Sequence, residues 1–484
     1  MHCDLLISAV CYDDVRDRQS LFGTVDENFV NLYQRALLFR RVRFFYDIFG
    51  EEIPVINKSC GFMTKALHSG WECDPATGAS GLPIYATSAY QFKDSAQAAA
   101  LFNLEEDGFI YSRLANPTVK AFEDTLNSLE GGAGAIALAS GQAAFAHLIA
   151  ALCSAGSNLV ISRKVYGGTL TLMQNIFSRF GVEAILVDSD HPCQVEQAIN
   201  DDTRGVITEI IGNPMMNVAP LEALARASHR HGVPLIIDNT FATPALCRPI
   251  EWGADVVVYS TTKYISGNGN LIGGALVDGG NFNWSEYPEK YPGLALPDPS
   301  YHDIVFAEKY GRAALAAKLH CSVLRDMGGC PSAFDAYLLC LSLFTLGLRM
   351  KRHSENGLAV AKFLEKHPQV EWVSYPGLES HPQNDMAKVY LKDGCGGMMA
   401  FGVKGGVEAG RKLVDSLSLI GHMANLGQTR TLIIHPASTT HGQLTAEQRA
   451  KAGLSDGLLR LSVGLEDADD IIADLEQALS AAGK

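Results

Sequence analysis

The feature that most restricts how this 484-residue chain can fold is a series of short, unbroken apolar runs that begins after Asn116-Pro117. Ala135–Ala139, Leu159–Ser162, Ala184–Val187, Gly205–Glu209, Pro234–Asp238 and Asp255–Tyr259 are four to five residues long, and helical stretches such as 118–130, 142–153, 167–180 and 221–231 separate most of them. A strand with one face in water alternates apolar and polar residues, whereas a run that is apolar throughout needs cover on both faces. Runs of this kind alternating with helices predict a mostly parallel sheet sandwiched between helical layers. Ligands of such sheets bind beyond the carboxyl ends of the strands, so the residues just after each run carry the functional reading.

Charge and cysteine usage narrow the partners. With 39 Lys+Arg against 53 Asp+Glu, the net charge of -14 offers no attraction to nucleic acid or anionic membrane, so a small-molecule ligand is expected. The 11 cysteines are scattered from Cys3 to Cys395 without a C-x-x-C pair, which suits a reducing cytoplasmic setting better than a disulfide framework or a zinc ribbon. The first residues lack the basic start of a secretory signal. Between Gly131 and Ser162 there is no Asp, Glu, Lys or Arg, a length able to span a bilayer. Its richness in Gly, Ala and Ser, with Gln142 and His147 inside it, predicts instead a buried strand, a turn and a buried helix.

Residues 1–62 differ from the rest: Arg40, Arg41 and Arg43 lie among Phe39, Phe44, Phe45 and Tyr46, and a second methionine, Met63, follows. They read as an extension of uncertain status, with a basic amphipathic docking helix as the alternative. A Gly/Pro-rich stretch over 279–299 follows the last apolar run. A long helical region over 332–367 then opens a smaller C-terminal unit with strands at 371–375 and 398–401 and a final helix over 467–482.

Two adjacent run ends carry chemistry. Asp238-Asn239-Thr240 closes one, and Ser260-Thr261-Thr262-Lys263 closes the next. Pyridoxal phosphate (PLP) requires a Lys amine to take its aldehyde, a carboxylate to keep its ring nitrogen protonated, and hydroxyls with backbone amides for its phosphate. Ala139-Ser-Gly-Gln-Ala143 supplies a strand-to-helix turn in which the amides of Gly141 and Gln142 point toward an anion. Tyr166, past another run, suits stacking on a ring.

Four segments together, Tyr111-Ser-Arg-Leu-Ala-Asn-Pro-Thr, Asp238-Asn-Thr, Ser260-Thr-Thr-Lys-Tyr-Ile-Ser-Gly and Leu461-Ser-Val-Gly-Leu-Glu-Asp467, resemble the Cys/Met metabolism PLP-dependent family from about Met63 to the C-terminus. Ile211-Gly-Asn-Pro214, the loop 267–274, Ala424-Asn-Leu-Gly and the run 434–441 are most similar to its O-acetylhomoserine sulfhydrylase branch. The resemblance implies the aspartate aminotransferase-like fold type I, with an arm at 63–115 that reaches a neighbouring subunit, a PLP domain at 116–329 and a C-terminal domain at 330–484. It also implies a homo-oligomer, usually a dimer of dimers. Lys263 then corresponds to the cofactor lysine, Asp238 to the partner of the ring nitrogen, and Tyr166 to the stacking residue and acid/base assistant. Gly141, Gln142, Ser260 and Thr262 match the phosphate cup, and Tyr111 and Arg113 match a pair donated to a neighbour's phosphate. Asn213 matches the residue beside the ring hydroxyl and Arg460 the holder of the substrate carboxylate. Asn425 stands where relatives often have Ser, and Met215-Met216 where basic-plus-aliphatic pairs are common.

The implied reaction is γ-replacement on O-acetyl-L-homoserine with sulfide or a thiol; a cystathionine γ-synthase or methionine γ-lyase is the alternative. A non-catalytic protein on this fold is disfavoured by the presence of both Lys263 and Asp238. A dinucleotide fingerprint at 267–274 fails because Ile272 stands where glycine is needed. His229, His231, His435 and His441 lack a recognised ligand spacing, so no metal is expected.

Overall fold

The computed structural model describes residues 60–439 and 455–483. The basic-aromatic segment around Arg40 to Tyr46 and His441 lie outside the described residues. Seven strands form the larger sheet: β1 (Gly134–Leu138), β2 (Asn158–Ser162), β3 (Glu183–Val187), β4 (Thr203–Glu209), β5 (Leu235–Asp238), β6 (Val256–Tyr259) and β7 (Gly274–Asp278), in the spatial order β1-β7-β6-β5-β4-β2-β3. Strands β6, β5, β4, β2 and β3 are parallel, as the unbroken apolar runs predict, while β7 runs antiparallel to both β6 and β1.

Both faces of this sheet are buried. Val160, Leu235, Ile237 and Val257 face one apolar cluster, and their chain neighbours Leu159, Ile161, Ile236, Val256 and Val258 face another. Helices Pro117–Glu130 and Ala333–Leu343 pack together over the first cluster, and Gly141–Leu152 covers the second. Helix Pro117–Glu130 starts where expected because Asn116 caps it, its Oδ1 accepting from Thr118 N at 2.9 Å and Val119 N at 3.4 Å. Loss of such a cap costs about 1 kcal/mol. The uncharged stretch 131–162 is strand β1, the buried helix Gly141–Leu152 and strand β2. No single helix among the described residues is long and apolar enough to cross a membrane.

Three expectations need correction. The last strand of the large sheet is not the one ending at Tyr259: β7 follows the glycine loop, and low-propensity Gly274 opens it because a Cβ there would lie 2.1 Å from Ser140 O. The helix expected over 167–180 is three short pieces, Gly167–Thr171, a wider turn over Leu172–Ile176 and a tight one over Phe177–Phe180 that ends at Gly181 in the left-handed region. The region 332–367 is two helices, Ala333–Leu343 and Leu346–Lys366, bent by 62°.

The smaller sheet contains five strands, β8 (Val370–Ser374), β9 (Met398–Val403), β10 (Gly421–His422), β11 (Leu432–Ile434) and β12 (Leu458–Ser462), in the order β10-β11-β12-β9-β8. It packs its own apolar cluster against Leu346–Lys366 and the terminal helix Ala468–Ala482. Only β8 and β9 were legible as strands. The third central strand, β12, places Arg460 between Ile434 and Ala400 in register.

Candidate active site

Parallel pairing brings the ends of β4, β5 and β6 to one edge, with Glu209 opposite Asp238 and Asp238 opposite Val258. The turns beyond are tied together: Thr240 N donates to Asp238 Oδ1 at 2.9 Å, and Ser260 N donates to Thr240 Oγ1 at 2.9 Å. The two run ends singled out in the sequence are therefore hydrogen-bonded neighbours. Beyond Ser260 the chain turns tightly, and Lys263 N donates to Ser260 O. The guanidinium of buried Arg349 donates to the carbonyls of Tyr264 at 2.6 Å and Ile265 at 2.9 Å, which fixes the turn that presents Lys263.

These residues line a cavity of about 310 Å³ together with Ser140, Gly141, Gln142, Tyr166, Asn213, Asn425 and Arg460. On one side, Ser140 caps helix Gly141–Leu152 by accepting from Ala143 N, leaving the first amides of the helix directed outward. Gly141 is required there, since a Cβ would lie 2.9 Å from Ser260 Cβ. Thr262 closes this side by accepting from Gly273 N at 3.0 Å. On the other side stands Tyr166, a residue that is 53% exposed. The smaller sheet closes the cavity with Arg460, whose Nη1 lies 3.4 Å from Asn213 Oδ1 and whose Nη2 lies 3.5 Å from the Asn425 carbonyl. Both contacts are long, and among the described residues no carboxylate pairs with this guanidinium. Its planar fork is therefore available to a carboxylate.

The electrostatics are uneven. Burial, with the charge of Arg460 added, lowers Lys263 to about 8, and its Nζ donates to Asn425 Oδ1 at 2.5 Å. Burial raises Asp238 to about 6, against the hydrogen bonds from Thr240. Glu209 is raised well above the usual carboxylate range, first by burial and then by the charge of Asp238.

Ten of the twelve residues named from the sequence thus surround one cavity, and two do not. Tyr111 is half exposed and Arg113 donates to the Arg325 carbonyl, its guanidinium 5.4 Å from the Tyr111 ring centre, and neither reaches the cavity of this chain. The histidines read as non-ligands have ordinary partners: His229 Nε2 bonds Asp255 Oδ2 at 2.7 Å, and His435 bonds Ser438 and the Asp456 carbonyl. Glu209 and Phe145 also line the cavity and are not singled out by the sequence. Glu209 closes a recognised apolar run, so the strand-end rule points at it, but a second carboxylate there matches none of the lysine, ring-nitrogen partner and hydroxyl roles that PLP requires.

The residues fit PLP. A capped helix start and three hydroxyl side chains line one side, a half-buried carboxyl lies at the strand ends, and a partly neutral amine and an aromatic side chain line the same cavity. An α/β chain with this site is of the PLP-dependent fold type I class. The chain belongs to the Cys/Met metabolism PLP-dependent enzyme family, whose sequence profile matches residues 63–480. It is 46% identical over 422 residues to a homocysteine synthase of Schizosaccharomyces pombe, covering 87% of this chain and 98% of that one. It is 45% identical over 421 residues to an O-acetyl-L-homoserine sulfhydrylase of Thermus thermophilus, covering 87% of this chain and 100% of the relative. The crystal structure of a Campylobacter jejuni protein described as an O-acetylhomoserine (thiol)-lyase, which carries a pyridoxyl-lysine, superposes with a TM-score of 0.83 at 39% identity, covering 88% of this chain and all of that one.

A pH dependence follows from Lys263. Only the neutral amine attacks an aldehyde, and the lowered value makes half the Lys263 amines neutral near pH 8, where an ordinary lysine is almost wholly charged. The rate at which cofactor-free protein takes up PLP is expected to rise with pH and level off above about 8, measured by stopped-flow absorbance. A rise that continues to the ordinary lysine range would contradict the lowered value.

Proposed function

We propose that the protein catalyses γ-replacement on O-acetyl-L-homoserine with sulfide, giving L-homocysteine and acetate, and that a small thiol can replace sulfide. The observation that carries this reading is a single cavity holding a partly neutral lysine, a half-buried aspartate and an arginine fork that, among the described residues, has no carboxylate partner. The names of the relatives supply the substrate class. A cytosolic location fits the nine free cysteines among the described residues.

Lys263 would hold the cofactor, Asp238 its ring nitrogen, Asn213 its ring hydroxyl, and Gly141, Gln142, Ser260 and Thr262 its phosphate. When bound, PLP supplies an electron sink for the pair left on the substrate Cα. The protein does the rest. Arg460 grips the substrate carboxylate; burial, with the charge of Arg460 added, lowers the free Lys263 amine to about 8, so that a share of it is neutral and able to act as a general base. Lys263 Nζ would take the Cα proton, pass it on and so be free to take one from Cβ as acetate leaves Cγ, and return a proton to Cβ and then to Cα once sulfide has added at Cγ. Asn425 Oδ1, already an acceptor for Nζ, holds the amine between these transfers. Tyr166 covers the ring and stands within the same cavity as an acid/base assistant.

Gly168 favours replacement over lysis of methionine. A Cβ there would lie 2.3 Å from the Tyr166 ring and 2.7 Å from Gln142 Nε2, so the tyrosine pose leaves no room for a side chain at this place, such as the cysteine of the methionine γ-lyases that the sequence resembles. The test is the kcat/KM of O-acetylhomoserine with sulfide against those of O-succinylhomoserine, cystathionine and methionine alone. A ratio well above about tenfold in favour of the acetyl ester is expected. Comparable values for methionine or cystathionine would move the assignment to a lyase.

Residues 63–115 are proposed as an arm completing the site of a second subunit, in a dimer of dimers, with 1–62 dispensable, 116–329 as the PLP domain and 330–484 as the C-terminal domain. Exposed Ile84, Tyr85, Phe102 and Tyr111 on the arm support this. Arg113→Ala is expected to weaken PLP binding about tenfold, the scale of one charged hydrogen bond. Mixed with Lys263→Ala, it should regain activity, because one site of each mixed pair has both residues. Mixed oligomers without activity would remove the shared site.

A further inference from the structure

Glu209 has no part in the proton transfers above, yet it stands inside the site. It ends β4, is 5% exposed and lines the cavity. Its Oε1 accepts from Tyr166 N at 2.5 Å, and no other hydrogen bond reaches its carboxyl among the described residues. Asp238 is its register partner on β5, so the two carboxyls project from the same face of adjacent strands. Two such groups in a buried site do not both ionise readily. Asp238 is raised to about 6, and Glu209 is raised well above the usual carboxylate range by burial and then by the charge of Asp238, against the hydrogen bond from the Tyr166 amide and the charge of Arg460.

Tyr166 needs holding. It precedes the short helix Gly167–Thr171, where no side chain caps the first amides, and its ring is half in solvent. Its carbonyl accepts from Thr169 N, and its amide is the one directed into the strand ends, toward Glu209. The ring edge rests against Gly168, where even a Cβ would displace it. A small rotation at Tyr166 would therefore move the ring, and the Glu209 contact is what resists that rotation.

We infer that Glu209 is a positioning residue whose buried carboxyl holds the Tyr166 amide and so sets the pose of the Tyr166 ring over the cofactor. This rests on the reading of Tyr166 as the stacking residue. Two properties follow: Glu209 needs an accepting oxygen at full side-chain reach, and it needs no charge.

The test is PLP titration of the cofactor-free protein, with the visible circular dichroism of the bound cofactor as a second readout. Glu209→Ala is expected to weaken PLP binding about tenfold and alter the dichroism, as loss of a buried acceptor would. Glu209→Gln keeps the reach and an accepting oxygen, and should bring affinity to within about threefold of wild type, with the dichroism restored. Glu209→Asp keeps the acid but falls one methylene short, and should resemble the alanine variant. In a Tyr166→Ala background, Glu209→Ala should add less than about a twofold further loss, because the two act through one contact. Equal losses in both backgrounds, or a glutamine variant as defective as alanine, would overturn the inference alone. If the alanine variant fails to fold, the comparison of Gln with Asp decides. Failure of the wild-type protein to take up PLP would instead overturn the functional reading, and this inference with it.

Discussion

Replacing Lys263 with alanine is expected to abolish turnover while leaving the cavity intact. The expected loss in kcat/KM is at least about a thousandfold, because one amine is asked both to anchor the cofactor and to move every proton of the reaction. Among the described residues no other lysine lines the cavity, so no neighbour there can take over. The tight turn at Lys263 is held by backbone and by Arg349, not by the lysine side chain, whose one hydrogen bond among the described residues is with Asn425. The variant should therefore fold and melt like the wild type. The decisive measurement is borohydride reduction of the PLP-loaded wild-type protein followed by peptide mapping. The pyridoxyl group should be on Lys263 and should be absent from the variant; a label on a different lysine would displace the whole assignment.

Asp238→Asn separates binding from chemistry. Asp238 lies half-buried at the end of β5, oriented by the Thr240 amide, and is raised to about 6, so it is charged at neutral pH. A protonated ring nitrogen held opposite it, as proposed, would be stabilised by an anion, which an amide cannot replace. PLP should still bind through Lys263 and the phosphate end of the cavity, with an affinity loss of about tenfold or less, whereas kcat should fall about a hundred- to ten-thousandfold. The pH dependence carries a sign as well. Burial puts Asp238 at about 6 in the cofactor-free chain, so its charge is present above that pH and lost as pH falls through it. Wild-type affinity for PLP should accordingly weaken on acidification through about 6, and the asparagine variant should lack that component. Wild-type turnover in Asp238→Asn would remove Asp238 from the mechanism.

Glu209 shows why a strand-end carboxylate can escape notice. Its function depends on the Tyr166 amide, 43 residues earlier in the chain, and on a register that sets it beside Asp238. The run Gly205–Glu209 marks only the position where a ligand group would stand, with no indication of what it touches.

The sequence by itself determined the large parallel sheet and the identity of most of the residues at its edge. Strands buried on both faces have no polar alternation to maintain, so they appear as unbroken apolar runs, and chemistry concentrates in the few polar residues that end them. Asp238, Ser260, Thr262 and Lys263 were legible for that reason. Only the tertiary structure decided which distant segments complete the site. Strand β7 is hidden by its opening glycine, which packing against Ser140 requires. Arg460 reaches the cavity because β12 lies between β11 and β9 in a separate sheet, and Asn425 because its loop meets Lys263. Tyr111 and Arg113 lie apart from the cavity because the arm is held at Arg325 and at the start of helix Pro117–Glu130, through Asn116 and Thr118. Local pattern records how a segment is buried; which segments meet depends on long-range register and packing, which no single stretch of residues encodes.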